Sequence, residues 1–242
     1  LLPDSIQDPI PEPIRMEYNL CHLRFALSNI HFPKDMEAVK IARRRLIFEE
    51  LLVLQLALQR MKGRNRRQKG LLLEKDYTEE FCSRLPFSPT GAQKRVMQEC
   101  AQDMKSGFCM NRLVQGDVGS GKTAVAAALC YTAAKNSIQA AMMAPTEILA
   151  KQHYETFSSF LEGTGITVAL LTGSTPAAQK RKVLSGLKDG SIQLAVGTHA
   201  LLSKGVEFSR LGLVVTDEQH RFGVEQREAL ADKGDSPHLL VM

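Results

Sequence analysis

Gly116-Asp117-Val118-Gly119-Ser120-Gly121-Lys122-Thr123 decides the fold of this 242-residue chain. It fits G-x-x-x-x-G-K-[ST], a phosphate-binding P-loop. Ahead of it, Asn111-Arg112-Leu113-Val114-Gln115 reads as a short strand; behind it, Ala124-Val125-Ala126-Ala127-Ala128-Leu129 is made mostly of strong helix formers. Strand, glycine loop and helix are the context that the motif needs. Glycines let the backbone curl until successive N–H groups face phosphate oxygens, and the following helix adds the positive end of its dipole. Lys122 is expected to reach the β- and γ-phosphates and the Thr123 hydroxyl to ligate Mg²⁺, so a nucleoside triphosphate is the expected ligand.

Outward from the loop, strands alternate with helices. Strands are expected at 111–115, 139–144, 167–171, 193–198, 211–216 and from 238, with helices at 122–135, 146–161, 176–187, 199–203 and 224–232. Such alternation means crossover connections and an α/β fold whose mostly parallel sheet has helices on both faces. Pro86-Phe87-Ser88-Pro89-Thr90 marks its start, with Thr90 the expected N-cap of a helix running to Met104. Residues 1–85 are expected to form an α-helical linker region, and 86–242 the P-loop domain. Pro3, Pro9, Pro11 and Pro13 predict an extended lead-in over residues 1–14. A short helix is expected at 18–29, a long one at 36–61 with Asp35 as N-cap, and another short one within 71–85. The long helix has apolar residues on more than one face, among them Leu46, Leu51, Leu54 and Leu58, which predicts packing on two sides. Its basic runs, Arg43–Arg45 and Arg60–Lys69, read either as solvated surface or as contacts to nucleic-acid phosphates.

Composition narrows the class. Hydrophobic residues at 44% and charged residues at 24% are ordinary for a globular protein, and a formal net charge of +5 leans weakly toward a polyanionic partner. Five cysteines without C-x-x-C spacing argue against a disulfide framework or zinc site and for a reducing cytoplasm. No signal-peptide pattern is visible, and the most apolar run, Leu51 to Leu58, is too short to span a bilayer.

Chemistry is expected where the strand Leu211-Gly212-Leu213-Val214-Val215-Thr216 ends in Asp217-Glu218-Gln219-His220. Alone, an acidic pair after a strand is usually a solvated turn. Downstream of a P-loop, Asp217 is placed to hold Mg²⁺ and Glu218 to accept a proton from the attacking water.

With these residues the sequence resembles the superfamily 2 helicases of the DExH kind, and more narrowly the RecG family of branch-migration helicases. The resemblance covers nearly the whole chain. It is carried by Asn29-Ile30-His31-Phe32-Pro33, the P-loop segment, Ala144-Pro145-Thr146-Glu147-Ile148-Leu149-Ala150, Val196-Gly197-Thr198-His199-Ala200-Leu201 and Asp217 through Arg227. The resemblance implies a RecA-like motor lobe using ATP and Mg²⁺. It also implies action on branched double-stranded DNA, at forks and Holliday junctions, as a monomer in the bacterial cytoplasm on the nucleoid. Gln93 then reads the adenine edge and Phe87 packs on the base. Pro145, Thr146, Thr172, Gly173, Thr198 and His199 lie along the DNA track, and Gln219 and His220 couple the γ-phosphate to a second lobe. The related transcription-repair coupling translocases share most of these motifs but normally carry Glu where Gln219 stands and lack the segment around Phe32. A nucleotide-binding switch that does not turn over is the alternative of another class. In the family the last strand continues into a second lobe that supplies arginine fingers, whereas here the sequence ends inside the apolar run Leu239–Met242. A fragment, nearly inactive by itself, is the expectation.

Overall fold

The computed structural model describes residues 6–65, 69–217 and 229–242. They form two compact units, residues 1–64 and 65–242; residues 65–85, read above as linker, belong to the second.

In the first unit the extended lead-in is corrected. Helix α1 spans Glu12–Glu17, with Pro11 as its N-cap residue and Pro13 in its first turn. There a missing N–H costs nothing and a fixed φ favours helix, so these prolines start a helix instead of barring one. Helix α2, Leu23–His31, begins later than expected, after Asn19 takes a positive φ of 52°. It ends at Phe32, ahead of Pro33. Helix α3, Met36–Asn65, is capped as expected: the Asp35 carboxylate accepts from the Ala38 N–H at 2.7 Å.

The core of this unit holds Ile10, Leu20, Ala26, Ala38 and Ala42 around a charged group. Arg45 is fully buried and donates to Asp8 at 2.8 Å and to Glu49. Asp8 also accepts from the backbone N–H of Leu23 and Ile10. Burial pushes the Asp8 carboxyl up, but those N–H groups and Arg45 outweigh it and hold the group below its usual range. One arginine of the basic run is therefore a structural anchor. Removing one member of a buried ion pair strands the other, so Arg45→Ala should cost about 3–5 kcal/mol, read as faster hydrogen exchange over residues 8–23. Among the described residues the expected two-sided packing of α3 is not seen: Leu51, Val53, Leu54 and Leu56 are each more than half exposed. Apolar side chains spread all round a helix cannot share one buried face.

In the second unit, α4 (Thr78–Arg84) and α5 (Gly91–Met104) precede the sheet. Then follow β1 (Asn111–Leu113), α6 (Lys122–Lys135), β2 (Gln139–Met143), α7 (Glu147–Phe160), β3 (Val168–Leu171), α8 (Ala177–Asp189), β4 (Leu194–Gly197), a 3₁₀ turn (His199–Leu202), β5 (Leu211–Thr216) and β6 (His238–Val241). The expected helix at 224–232 falls mostly outside the described residues. All neighbouring strands run parallel, in the order β1-β6-β5-β2-β4-β3. Alternate residues feed two cores. Ala140, Met142, Leu213 and Val215 face one side with Phe157 and the alanine-rich α6, while Ala141, Met143 and Val214 face Val183 and Leu187 of α8. This RecA-like α/β sheet is thus covered on both faces, as strands buried on both sides require. All five cysteines are free thiols; burial pushes Cys100 up to about 11, which removes its thiolate reactivity. Among the described residues no helix is long and apolar enough to cross a membrane.

His238 opens β6 fully buried. Its Nδ1 accepts from the Met110 N–H at 3.0 Å, and its Nε2 lies 2.7 Å from the Leu71 carbonyl, which can only accept. A second proton would have to sit on Nδ1, where the Met110 N–H already points. Burial lowers the pKa, outweighing the Leu71 carbonyl that favours the charged form. The unfolded chain binds that proton near pH 6.5 and the folded one only lower, so stability is full above about pH 6.5 and declines below it. Urea midpoints should fall between pH 7 and 5, and His238→Gln should flatten that slope.

Candidate functional site

The P-loop, Asp217 and the turns at Pro145-Thr146, Thr172-Gly173 and Thr198-His199 each follow a strand, so these lie along the carboxyl edge of one parallel sheet, where such folds bind ligands. The strand order divides that edge. The P-loop follows β1 at one end, and Asp217 follows β5, two strands in. Next come the turns after β2 (Pro145-Thr146), β4 (Thr198-His199) and β3 (Thr172-Gly173). At about 4.8 Å per strand the edge is roughly 24 Å long, enough for a nucleotide at one end and a second ligand along the other.

The P-loop has the backbone its sequence predicts. Gly119 and Gly121 take φ of +80° and +82°, and Gly121 is the N-cap of α6. A Cβ at Gly121 would stand 2.3 Å from Gln93 Nε2, the movable end of that side chain, so it is the left-handed backbone that calls for glycine here. Lys122 folds across its own loop and donates from Nζ to the carbonyls of Gly116 (2.6 Å) and Asp117 (3.1 Å). A half-exposed ammonium held only by loop carbonyls can exchange them for phosphate oxygens. Thr123 lies in the first turn of α6.

Gln93 does more than the resemblance implies. Thr90 and Gln93 form a reciprocal capping box at the start of α5, and Gln93 Nε2 also donates to the Ser120 carbonyl at 2.8 Å. The residue expected at the adenine therefore braces the P-loop. Phe87 is exposed and meets the ring of Phe160 edge-on, with centroids 6.2 Å apart. A cavity of about 330 Å³ beside them, between α4 and α5, is lined by Cys82, Ser83, Lys94, Met97 and Gln98, among others.

Asp217 is held by neighbouring elements of the fold. Its N–H donates to the Met143 carbonyl at the end of β2, and its Oδ2 lies 2.7 Å from Nε2 of His153 on α7. The two side chains are 17% and 11% exposed. Glu218, Gln219 and His220 lie outside the described residues, as do Arg221 and Arg227. The donor set suits Mg²⁺, which is commonly bound through one or two carboxylates plus substrate phosphates: Asp217 offers the carboxylate and Thr123 the hydroxyl.

The three turns on the far half of the edge are knitted together. Thr146 caps α7, its hydroxyl accepting from the Leu149 N–H at 3.3 Å. Glu147 takes the Ser174 N–H on Oε1 at 3.0 Å and the Ser174 hydroxyl on Oε2 at 2.6 Å, which joins the turn after β2 to the turn after β3. The Ser174 hydroxyl foremost, then its N–H, holds Glu147 below the usual carboxylate range. Thr172 and Thr198 are nearly buried, and the Thr198 N–H donates to the Leu171 carbonyl. Of the track residues, Thr172 and Thr198 are thus buried, and the Thr172 N–H is bonded as well, to the Thr175 hydroxyl at 2.9 Å. Sequence reasoning missed His153; its only signal was its place seven residues after Thr146, two turns along one helix.

The chain is 48% identical to the ATP-dependent DNA helicase RecG of Bacillus subtilis, over 99% of this chain and 36% of that protein. It is 47% identical to the ATP-dependent DNA helicase RecG of Thermotoga maritima, over 98% of this chain and 31% of that protein. A solved structure of RecG bound to a three-way DNA junction matches 98% of this chain and 32% of its own, with a TM-score of 0.80 at 43% identity. The UvsW helicase of bacteriophage T4 shares the fold, at a TM-score of 0.52 and 19% identity over 72% of this chain and 61% of its own. The chain spans about a third of the length of the curated relatives it matches. The DEAD/DEAH box helicase family model matches residues 90–236, more than half of the sequence, and the chain belongs to that family.

Proposed function

We propose that this chain is the first motor lobe of an ATP-dependent DNA helicase that remodels stalled replication forks and Holliday junctions by branch migration, in DNA repair and recombination. One observation carries the reading. The likeness to RecG runs over 98–99% of the chain, and so includes residues ahead of Thr90 that the family-wide model leaves out. A generic motor would be matched in its motor alone.

In this reading the triphosphate lies on the P-loop, Gly116 to Thr123, with Lys122 on the β- and γ-phosphates and Phe87 and Gln93 at the base. Thr123 and Asp217 hold Mg²⁺, which would neutralise charge on the bridged phosphate oxygens. Glu218 takes the proton of the attacking water, and Gln219 and His220 pass the state of the γ-phosphate to a second lobe. Pro145, Thr146, Thr172, Gly173, Thr198 and His199 line the DNA track, where contacts to the sugar-phosphate backbone position the duplex. The full-length protein works as a monomer on branched double-stranded DNA at the bacterial nucleoid.

The test is a synthetic fork with dye-labelled arms. The full-length protein should convert it to rearranged duplexes with ATP and not with ADP. Conversion without ATP, or none on any branched substrate, would defeat the reading.

A further inference from the structure

We infer that His153 is a positioning residue that ties the carboxylate of Asp217 to α7, so that the nucleic-acid end of the edge and the Mg²⁺ ligand move as one body. The inference rests on the function proposed above and deepens it.

A carboxylate at a strand end turns freely about two side-chain torsions unless something fixes it. Here a 2.7 Å bond from another element fixes it, in a place where both side chains are mostly out of water. A carboxylate oxygen accepts, so Nε2 carries the hydrogen, and the bond is charge-assisted and directional.

The element that supplies the bond is the unusual part. Helix α7 leaves β2, which neighbours β5 in the sheet, so a side chain two turns along it reaches across to the end of the next strand. Its first turn is bound elsewhere: Thr146 caps it, and Glu147 grips Ser174 after β3, two strands away on the other side. Seven residues of helix separate Thr146 from His153, or about 10 Å at 1.5 Å per residue. A helix of 14 residues, anchored in the core by Ala150 and Phe157, is stiff over that distance. A shift imposed on the turns after β2 and β3 therefore reaches the Asp217 carboxylate through the His153 hydrogen bond. In reverse, a ligand that draws Asp217 forward pulls on the same helix. Such coupling is reciprocal by linkage.

The test uses the full-length protein and reads nucleotide binding instead of turnover. His153→Ala removes the bond, and His153→Gln restores an N–H near the Nε2 position. Affinity for a fluorescent ADP analogue is measured across a Mg²⁺ titration and in EDTA, with and without fork DNA. His153→Ala should raise the Mg²⁺ concentration for half-effect by about tenfold while leaving affinity in EDTA within about twofold, and His153→Gln should recover most of the loss. The change in nucleotide affinity caused by fork DNA should shrink in His153→Ala alone. A wild-type Mg²⁺ dependence in His153→Ala would overturn the proposal. So would an equal loss of affinity with and without Mg²⁺ in both variants, accompanied by a lowered melting temperature, since His153 would then only hold the fold. A wild-type protein whose nucleotide affinity ignores Mg²⁺ would instead overturn the reading of the site itself, and the proposal with it.

Discussion

Lys122→Ala should lower ATP turnover of the full-length protein by about 10²–10³ while leaving its melting temperature nearly unchanged. The rate estimate is that for removing one preorganised charge or donor from the transition state. Hydrolysis builds charge on the γ-phosphoryl oxygens, and Lys122 is the cation that the proposed site places beside them. The stability estimate follows from its surroundings. Nζ is bonded only to the Gly116 and Asp117 carbonyls of an exposed loop, and such a truncation is worth within about 0.5 kcal/mol. Steady-state ATPase and thermal denaturation on the same preparation check both halves. An unchanged rate would remove the P-loop from the mechanism. A large drop in melting temperature would mean that Lys122 braces the loop structurally.

Glu218→Gln is expected to separate binding from chemistry. The amide keeps the shape of the side chain and can still hydrogen-bond a water, but it cannot accept the proton. Hydrolysis should fall by about 10²–10⁴, while affinity for the triphosphate stays close to wild type because Lys122, Thr123 and Asp217 are untouched. Equilibrium binding beside single-turnover hydrolysis measures the two. If binding is lost together with hydrolysis, Glu218 is a metal ligand or part of the fold, and the base must be sought elsewhere.

The parts of the fold legible in the sequence are those set by local rules. The P-loop glycines, the Asp35 and Thr90 caps and the mostly apolar strand Leu211–Thr216 each carry their own signature within a few residues, and each element formed where expected. The errors arose where the outcome depended on what else was near. Pro11 and Pro13 read as helix breakers because their position within a first turn is invisible until the turn exists. Arg45 read as part of a charged run because its partner, Asp8, lies 37 residues away. In the site, the residues proposed to touch phosphate, metal and water sit at the spacings expected from the motifs. The pairing of His153 with Asp217 needs β2 beside β5, a neighbour relation that no local pattern encodes. The same holds for Gln93, whose hold on the Ser120 carbonyl exists only because α5 starts next to the P-loop.

The central claim, that this lobe belongs to a motor driven by ATP on branched DNA, is tested most directly by steady-state ATP hydrolysis of the full-length protein titrated with a synthetic three-way junction. Turnover should rise with the junction and lose that rise as salt increases, because phosphate contacts dominate DNA affinity. A rate that is the same with and without DNA, at low salt and high, would contradict the claim.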